Sequence, residues 1–293
     1  MEYLTISQDN LPVYLVMKKI VDILAPRYGE GEGKAMARII FENIKGWSPV
    51  DIAVKSNESV SSFTLSKVND ALRRIMDNEP IQYVFGNAWF YGMKLKVTRD
   101  TLIPRPETAE LVDIIVRENR TKDLRVLDLC TGSGCIAIAL ARNLAFAHVS
   151  AVDISEGALE VAKENAMTLH ASVDFIESDI LAGGRQLFGS KSYDIIVSNP
   201  PYIAESERKG MERNVVDYEP GLALFVPDDD PLRFYDAIFS IGEVSLADGG
   251  VIYCEINPLY SDAVVKLGHN RGFEDMQAVR DSYGKNRFII CRR

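Results

Sequence analysis

The sequence has no long apolar run and no surplus of basic residues. Its uninterrupted apolar stretches fall far short of the roughly 18 residues that a membrane-spanning helix needs. The opening residues MEYLTISQDN lack a basic stretch followed by an apolar one, so we expect no secretory signal. With 33 basic and 42 acidic residues, the net charge is −9, whereas a non-specific nucleic-acid binder needs an excess of lysine and arginine. We therefore expect neither a membrane protein nor a general nucleic-acid binder.

Cysteine and histidine are also scarce. The chain has 4 cysteines, none in a CxxC pair, and its 3 histidines lie far from them in sequence. This spacing predicts no zinc or other metal site. Dispersed cysteines are typical of reduced thiols, so we expect a cytoplasmic location.

The amino-terminal part has helical periodicity and no strand pattern. Its apolar residues recur every three or four positions over 13–24, 35–40 and 65–76. Ser48 followed by Pro49 predicts the start of a further short helix. Residues 1–85 carry 10 basic and 11 acidic residues, a net charge of −1, which is unlike a basic DNA-reading module. We predict a small helical bundle over 1–81 that recognises a substrate.

A change of composition marks the end of this bundle. Residues 82–86, 89–92 and 95–97 are rich in aromatic and β-branched side chains, with glycines between them. This pattern predicts a pair of strands. We therefore expect a β-hairpin connector over 82–100, followed by a catalytic domain over 101–293.

In the remaining chain, strand and helix patterns alternate. Short apolar strands are predicted at 126–129, 149–153, 173–176, 195–198, 251–256 and 288–290. Helices are predicted at 136–144, 159–169 and 234–246, the last ended by Gly249 and Gly250. This alternation predicts an α/β fold with a doubly wound, mainly parallel sheet.

The loop after the first predicted strand has the pattern D-x-C-x-G-x-G, from Asp128 to Gly134. Two glycines before a helix allow a tight turn and a close approach of the backbone to a ligand, although a ligand-free turn has the same pattern. Asp153 ends the next strand and could accept hydrogen bonds from ribose hydroxyls. A carboxylate at Asp128 suits an ammonium better than a pyrophosphate, which favours S-adenosylmethionine over a dinucleotide. Asp179 could accept from an adenine amino group or be a solvated loop acid.

The fourth predicted strand runs into Asn199-Pro200-Pro201-Tyr202. The two prolines fix the backbone and remove two donors, so the Pro200 carbonyl and the Asn199 side-chain oxygen form a rigid pair of acceptors. Such a pair can hold the NH2 of a planar amine, and Tyr202 offers a flat face for stacking. The simpler alternative is a turn stiffened by proline. This geometry predicts methyl transfer to an amide or exocyclic amine without a histidine base.

Further segments complete a recognisable pattern. They are residues 79–83 with Gly86, 102–108, 218–220 with Ala223 and Leu224, and the set Asp281, Gly284 and Arg287. With the Asn199–Tyr202 motif, they resemble the protein-(glutamine-N5) methyltransferases that act on peptide chain release factors, often called HemK or PrmC. The resemblance covers roughly residues 79–293, and the preceding part matches as a helical domain of the right length.

This resemblance implies a seven-stranded class I methyltransferase sheet and an enzyme that methylates the glutamine of the Gly-Gly-Gln motif of release factors, modulating translation termination. It implies a monomer with a protein substrate and no nucleic acid. The implied cofactor contacts are Asp128, Cys130, Thr131, Gly132, Ser133, Gly134, Asp153, Asp179, Ile180 and Asn199. The implied catalytic and glutamine-binding residues are Asn199, Pro200, Pro201 and Tyr202. Arg105 and Glu107 either contact the substrate or, more simply, brace the two domains.

Three positions depart from the family pattern. Cys130 replaces a glycine, Ile180 replaces an aromatic residue beside adenine, and residues 256–258 replace Ile-Gly at the edge of the substrate cleft. Adenine-N6 and other exocyclic-amine nucleic-acid methyltransferases share the Asn-Pro-Pro-Tyr motif and form the alternative hypothesis. A binding protein that retains only the fold is a third possibility.

Overall fold

The computed structural model describes residues 5–6, 10–189 and 192–293. The chain divides into two compact units, Met1–Phe85 and Gly86–Arg293. The first unit contains the helices α1 (Val13–Tyr28), α2 (Glu30–Lys45), α3 (Pro49–Val54), α4 (Ser62–Met76) and α5 (Ile81–Phe85). Among the described residues, no helix is both long and apolar enough to cross a membrane.

Apolar side chains at the predicted helical spacing form the core of the first unit. Val16, Ile20 and Leu24 of α1 are fully buried, as are Ile40 of α2 and Leu72 of α4. The predicted helices are therefore confirmed.

The short helix α3 also begins where the sequence predicts. The Ser48 Oγ accepts from the Asp51 backbone N–H at 3.2 Å, and the Ser48 N–H donates to Asp51 Oδ2 at 3.0 Å. This reciprocal capping box satisfies backbone donors at the start of the helix, and Pro49 occupies a position where no N–H is needed.

The predicted strand over 82–86 is wrong, because α5 occupies most of it. Pro80 starts this helical turn, and its carbonyl accepts from the N–H groups of Tyr83 and Val84. The Arg74 guanidinium then donates to the Val84 carbonyl at 3.0 Å and the Tyr83 carbonyl at 3.4 Å. A side chain from the preceding helix, 9 and 10 residues earlier in the chain, thus satisfies carbonyls that a neighbouring strand would have bound.

The second half of the predicted connector does form a hairpin. Strands β1 (Asn87–Phe90) and β2 (Met93–Lys96) pair antiparallel across Tyr91 and Gly92, which both have positive φ. Asn165, which lies further along the second unit, holds this hairpin in place. Its side chain accepts from the Lys96 N–H at 2.7 Å and donates to the Lys96 carbonyl at 3.0 Å. The hairpin therefore lies within Gly86–Arg293.

The rest of the second unit alternates strands and helices. In chain order its elements are α6 (Pro106–Glu118), β3 (Arg125–Leu129), α7 (Cys135–Asn143), β4 (His148–Asp153), α8 (Glu156–Thr168), β5 (Val173–Glu177), α9 (Ile180–Phe188), β6 (Tyr193–Ser198), β7 (Ile203–Ala204), α10 (Arg213–Val216), β8 (Phe225–Val226), α11 (Arg233–Ser245), β9 (Leu246–Glu255), α12 (Ser261–Asn270), β10 (Asp275–Arg280) and β11 (Asn286–Arg292).

These strands build a seven-stranded sheet in the order β10-β11-β9-β6-β3-β4-β5. Strand β11 runs antiparallel to both β9 and β10, and the other neighbours are parallel. The predicted α/β fold class is confirmed. One boundary differs: α11 ends at Ser245, and Gly249 and Gly250 lie in β9, where the pairing with β6 shifts register.

The central strand β3 is buried on both faces. Val126 belongs to the apolar cluster on one side of the sheet, whereas Leu127 and Leu129 belong to the cluster on the other. Such two-sided burial is characteristic of parallel sheets covered by helices. Because β3, β4, β5 and β6 pair parallel, their carboxyl ends lie at one edge of the sheet. Chain order reverses between β3 and β6, which is where ligands of open α/β sheets bind.

Candidate active site

A cleft lies at this edge, with an empty volume of about 1100 Å³ including its opening to solvent. Its wall includes ten of the residues that the sequence analysis assigned to a site: Arg105, Cys130, Thr131, Gly132, Ser133, Asp153, Asp179, Ile180, Asn199 and Pro201. The remaining five, Glu107, Asp128, Gly134, Pro200 and Tyr202, are not part of that wall. The structure therefore gathers most of the predicted set around one cavity.

The loop after β3 turns sharply through three residues with positive φ. These are Cys130 at 60°, Gly132 at 55° and Gly134 at 79°. At Gly134 an added Cβ would lie 3.1 Å from side-chain atoms of Ala162 and Ile138, so glycine also permits close packing. Cys130 adopts the left-handed conformation without being glycine, which costs roughly 1–2 kcal/mol. The loop therefore turns at position 130 without a glycine there.

Asp128 lies buried beneath the loop. Its Oδ2 accepts from the Thr131 hydroxyl at 2.6 Å and from the Ala137 N–H at 3.1 Å. Its Oδ1 is buried without a hydrogen-bond partner, as is the Oγ of Ser133. Burial raises the pKa of Asp128 to about 7, against the lowering effect of its two donors. A cationic group such as an ammonium would supply the hydrogen-bond donor that Asp128 Oδ1 lacks. These residues therefore fit the amino-acid end of S-adenosylmethionine.

Asp153 stands at the end of β4 and forms part of the cleft wall. Its Oδ2 accepts from the Gly132 N–H at 2.8 Å, and its Oδ1 accepts from the Ser155 N–H at 3.0 Å. Burial raises the pKa of this carboxyl, whereas the backbone donors lower it. Asp153 therefore holds the glycine loop as well as facing the cavity where a ribose is expected.

The far wall of the cleft is formed by the start of α9. Asp179 is the N-cap of this helix, since its Oδ1 accepts from the Leu181 N–H at 2.8 Å. Ile180 is buried and lines the cavity next to it. A helix cap is thus a structural role for Asp179 beside the predicted adenine contact, and Ile180 offers an apolar surface without an aromatic ring.

The loop after β6 is held by a chain of side-chain hydrogen bonds. Asn199 Nδ2 donates to the Thr108 hydroxyl at 3.1 Å, and that hydroxyl donates to Glu255 Oε2 at 2.7 Å. The Tyr202 hydroxyl donates to Glu255 Oε1 at 2.8 Å. Glu255 is buried, and burial raises its pKa although both donors lower it. The predicted stacking face of Tyr202 finds no support in this placement, because Tyr202 is turned to Glu255 and is not part of the cleft wall.

A second carboxylate braces the proline-rich segment. Glu219 is buried and accepts from Arg105 Nη2 at 2.6 Å and from the Ile103 N–H at 3.1 Å. Both partners lie in the second unit, so this ion pair braces the proline-rich segment within that unit, and bracing between the two domains stays a prediction. Arg105 also reaches the cleft wall. Glu107 lies in the first turn of α6.

The unusual segment after Glu255 also supports the loop. Asn257 is buried, and its Nδ2 donates to the Tyr202 carbonyl at 3.3 Å and to Glu207 Oε1 at 3.0 Å. The residue that replaces glycine in the family pattern thus ties down the end of the Asn199–Tyr202 motif.

Sequence reasoning missed the roles of Thr108, Glu219 and Glu255. Thr108 and Glu219 lie inside segments that carried the family resemblance, whereas Glu255 precedes the segment 256–258 that departs from the family pattern. For Thr108 and Glu219, the available signal was that they belong to those segments. The contacts themselves join positions 91, 116 and 147 residues apart. Spacing along the chain could not reveal them.

Comparison with known proteins agrees with this geometry. Residues 16–86 match the family model of the PrmC N-terminal domain, and residues 108–217 match that of the methyltransferase small domain. The chain is 43% identical over 279 residues to the release factor glutamine methyltransferase of Bacteroides thetaiotaomicron, covering 95% of this chain and 98% of that protein. It is 38% identical over 275 residues to that of Flavobacterium psychrophilum, covering 92% and 95%.

Among solved structures, the chain is similar to the T. thermophilus 16S rRNA N2 G1207 methyltransferase in complex with AdoMet and guanosine. The identity is 17% and the TM-score 0.51, with coverage of 71% of this chain and 49% of that one. This similarity shows the fold alone. The sequence relatives, matched over nearly their whole length, show the family: the chain belongs to the release factor glutamine methyltransferases.

Proposed function

We propose that this protein methylates the side-chain amide nitrogen of the glutamine in the Gly-Gly-Gln motif of peptide chain release factors, using S-adenosylmethionine as the donor. The observation that carries this proposal is the orientation of Asn199 at the cleft wall. Its amide nitrogen donates to Thr108, so its oxygen is the atom left to accept from a substrate. An accepting oxygen suits the NH2 of a glutamine.

The chain contributes mainly by positioning its substrate. An amide nitrogen is a weak nucleophile, because its lone pair is delocalised. We expect Asn199 Oδ1 and the Pro200 carbonyl to accept its two N–H groups, which returns electron density to nitrogen and fixes its direction. Such orientation can supply up to about 7–11 kcal/mol of the barrier reduction.

When bound, S-adenosylmethionine supplies an electrophilic methyl group, whose bond to sulfur breaks as its bond to the amide nitrogen forms. The nitrogen then releases one proton to water, since it becomes acidic once the new bond is made. No side chain of the motif has to act as a base. Asn199 Oδ1 and the Pro200 carbonyl hold the N–H groups until that point.

Two groups of residues divide the cleft between cofactor and substrate. We assign the cofactor to the loop of Cys130–Gly134 with Asp128 beneath it, to Asp153, Asp179 and Ile180, and to Asn199, where the two groups meet. The unpartnered Asp128 Oδ1 supports this assignment. We assign the glutamine to Asn199 and Pro201 at the cleft wall and to the carbonyl of Pro200 between them, with Tyr202 acting through Glu255.

The helical unit is assigned to recognition of the release factor. It carries almost no net charge, which fits a protein partner better than a nucleic acid. The enzyme is proposed to act as a monomer and, since release factors work on ribosomes, in the cytoplasm. Light scattering of the purified protein tests the oligomeric state.

A methyl-transfer assay tests the function. Purified release factor and labelled S-adenosylmethionine are incubated with the enzyme, and the modified peptide is identified by mass spectrometry. We expect one methyl group on the Gly-Gly-Gln glutamine and none on a release factor in which that glutamine is alanine. Incorporation into DNA or RNA, with none into release factor, would overturn the proposal in favour of the adenine-methylating alternative.

A further inference from the structure

The hydrogen bonds behind Asn199 have a fixed direction. The Thr108 hydroxyl has a single proton, which it donates to Glu255 Oε2 at 2.7 Å. Towards Asn199 the same oxygen can therefore only accept, and it meets the Nδ2 group at 3.1 Å. Rotating the Asn199 amide by half a turn would place two acceptors against each other.

Glu255 sets this direction from inside the protein. Both of its oxygens are occupied by hydroxyl donors, Thr108 on one side and Tyr202 at 2.8 Å on the other. The side chain is 1% exposed, so water does not compete for these donors. In such a site an unpaired or mismatched polar atom is costly, which makes one amide orientation strongly preferred.

We propose that Thr108 and Glu255 are positioning residues that hold the Asn199 oxygen towards the substrate amide. This inference rests on the proposed function, because it explains how the acceptor for the glutamine NH2 is kept facing the cleft. Glu255 does not touch the substrate. It acts by accepting the proton of Thr108 on one oxygen, while Tyr202 occupies the other oxygen. The motif is thereby held at both ends, since Tyr202 donates directly to Glu255 and Asn199 is joined to the same carboxylate through Thr108.

Reversing the chain of donors tests the proposal. In Glu255→Gln the introduced oxygen still accepts from Tyr202, so the introduced NH2 faces Thr108. The Thr108 proton then turns towards position 199 and forces the asparagine amide to rotate. We expect kcat to fall by about 10–100-fold, while the affinity for S-adenosylmethionine changes little.

The decisive variant combines two substitutions. Asn199→Asp alone puts a carboxylate against the Thr108 lone pair, and we expect a loss of at least about 100-fold in kcat. In Asn199→Asp/Glu255→Gln, Thr108 can donate to the introduced carboxylate, whose other oxygen accepts from the substrate. We expect this double variant to recover at least about tenfold in kcat over Asn199→Asp.

A matched control combines Asn199→Asp with Glu160→Gln, an exposed carboxylate on α8, and should show no recovery. Adding Thr108→Val to the double variant should abolish the recovery, because the valine has no hydroxyl. Equal or lower kcat in a folded double variant than in Asn199→Asp overturns the inference.

A second pair of variants decides the matter if the double variant does not fold. Thr108→Val should lower kcat at least about tenfold, and Thr108→Ser, which keeps the hydroxyl, should stay within about threefold of wild type. Equal kcat in the valine variant and wild type would equally overturn it. Failure of the wild-type enzyme to methylate release factor would instead refute the proposed function itself.

Discussion

The loops after β3 and β6 lie side by side, since Leu129 and Ser198 are paired at the ends of these parallel strands. They are nevertheless built in different ways. The β3 loop turns through residues with positive φ and leaves a buried carboxylate oxygen of Asp128 without a partner. The β6 loop is stiffened by two prolines, and its Asn199 and Tyr202 side chains are joined through Thr108 and Glu255.

This difference separates a binding loop from a catalytic one. A buried polar atom without a partner costs about 1–3 kcal/mol, and a ligand that supplies the partner recovers that free energy as affinity. A loop whose polar groups are already paired has nothing to rearrange when the reaction starts, which favours transition-state stabilisation. We therefore expect substitutions in the first loop to change binding and stability, and substitutions in the second to change kcat.

Asn199→Ala should produce the largest effect. It removes one of two acceptors for the substrate NH2 and leaves the Thr108 hydroxyl without the amide that it binds. We expect kcat to fall by about 100–1000-fold, as for the loss of one oriented hydrogen-bonding group in an active site. Methyl transfer to release factor at saturating cofactor measures it.

Cofactor affinity is the control for this variant and should fall by at most about tenfold by calorimetry, since the lost group contributes to catalysis more than to binding. Asn270→Ala, an exposed asparagine at the end of α12, should behave as wild type. Near-normal turnover in Asn199→Ala would remove the distinction between the two loops.

Asp128→Asn tests the unpartnered oxygen through the pH dependence of stability. The Asp128 pKa is about 7 in the folded protein, compared with 3.8 for an ordinary aspartate. The folded state therefore holds this proton more tightly, so its contribution is present below pH 4 and is lost as pH rises towards 7. The full shift corresponds to a loss on the order of 4 kcal/mol in the free energy of unfolding.

The asparagine variant cannot titrate at this position, so it should lack that part of the decline. Other buried carboxyls with a raised pKa, such as Glu255, remain in both proteins and cancel in the comparison, whereas Asp153, whose charge helps to raise the Asp128 pKa, contributes to the difference. Urea unfolding of the cofactor-free proteins between pH 4 and pH 8 measures the difference. Parallel pH profiles for the two proteins would show that Asp128 is not held protonated in the fold.

Asp153→Ala should weaken cofactor binding by about 10–100-fold, because a charged acceptor is lost from the cleft. The same change removes the carboxylate to which the Gly132 and Ser155 N–H groups donate their hydrogen bonds. Asp153→Asn separates the two roles, since it keeps one accepting oxygen. Calorimetric titration with S-adenosylmethionine gives the affinities, and an unchanged affinity in both variants would exclude Asp153 from the cofactor site.

The two loops also differ in how far the sequence predicts them. Local patterns sufficed for the strands that end in Leu129 and Ser198 and for the glycine turn, because periodicity and positive φ are properties of neighbouring residues. The bonds from Asn199 to Thr108 and from Thr108 to Glu255 depend on how β6, α6 and β9 meet. The same limit explains the error at Ile81–Phe85, where Arg74 satisfies carbonyls that local composition assigned to a strand.

Cys130→Gly should have the smallest effect, a gain in stability of about 0.5 kcal/mol. Relief of the left-handed conformation contributes roughly 1–2 kcal/mol, and the greater freedom of glycine in the unfolded chain offsets about 0.4–1 kcal/mol of it.

Gly132→Ala is the matched reverse, because its φ of 55° is similar and no atom lies within 4 Å of an added Cβ. It should lose about 0.5 kcal/mol, because roughly 1–2 kcal/mol of backbone strain is offset by about 0.4–1 kcal/mol from the smaller freedom of alanine in the unfolded chain. Thermal unfolding of the cofactor-free proteins compares them at one pH. A clear loss of stability in Cys130→Gly would mean that the half-buried thiol stabilises the loop by more than its backbone strain costs, and the β3 loop would then depend on side-chain packing in the way that the β6 loop does.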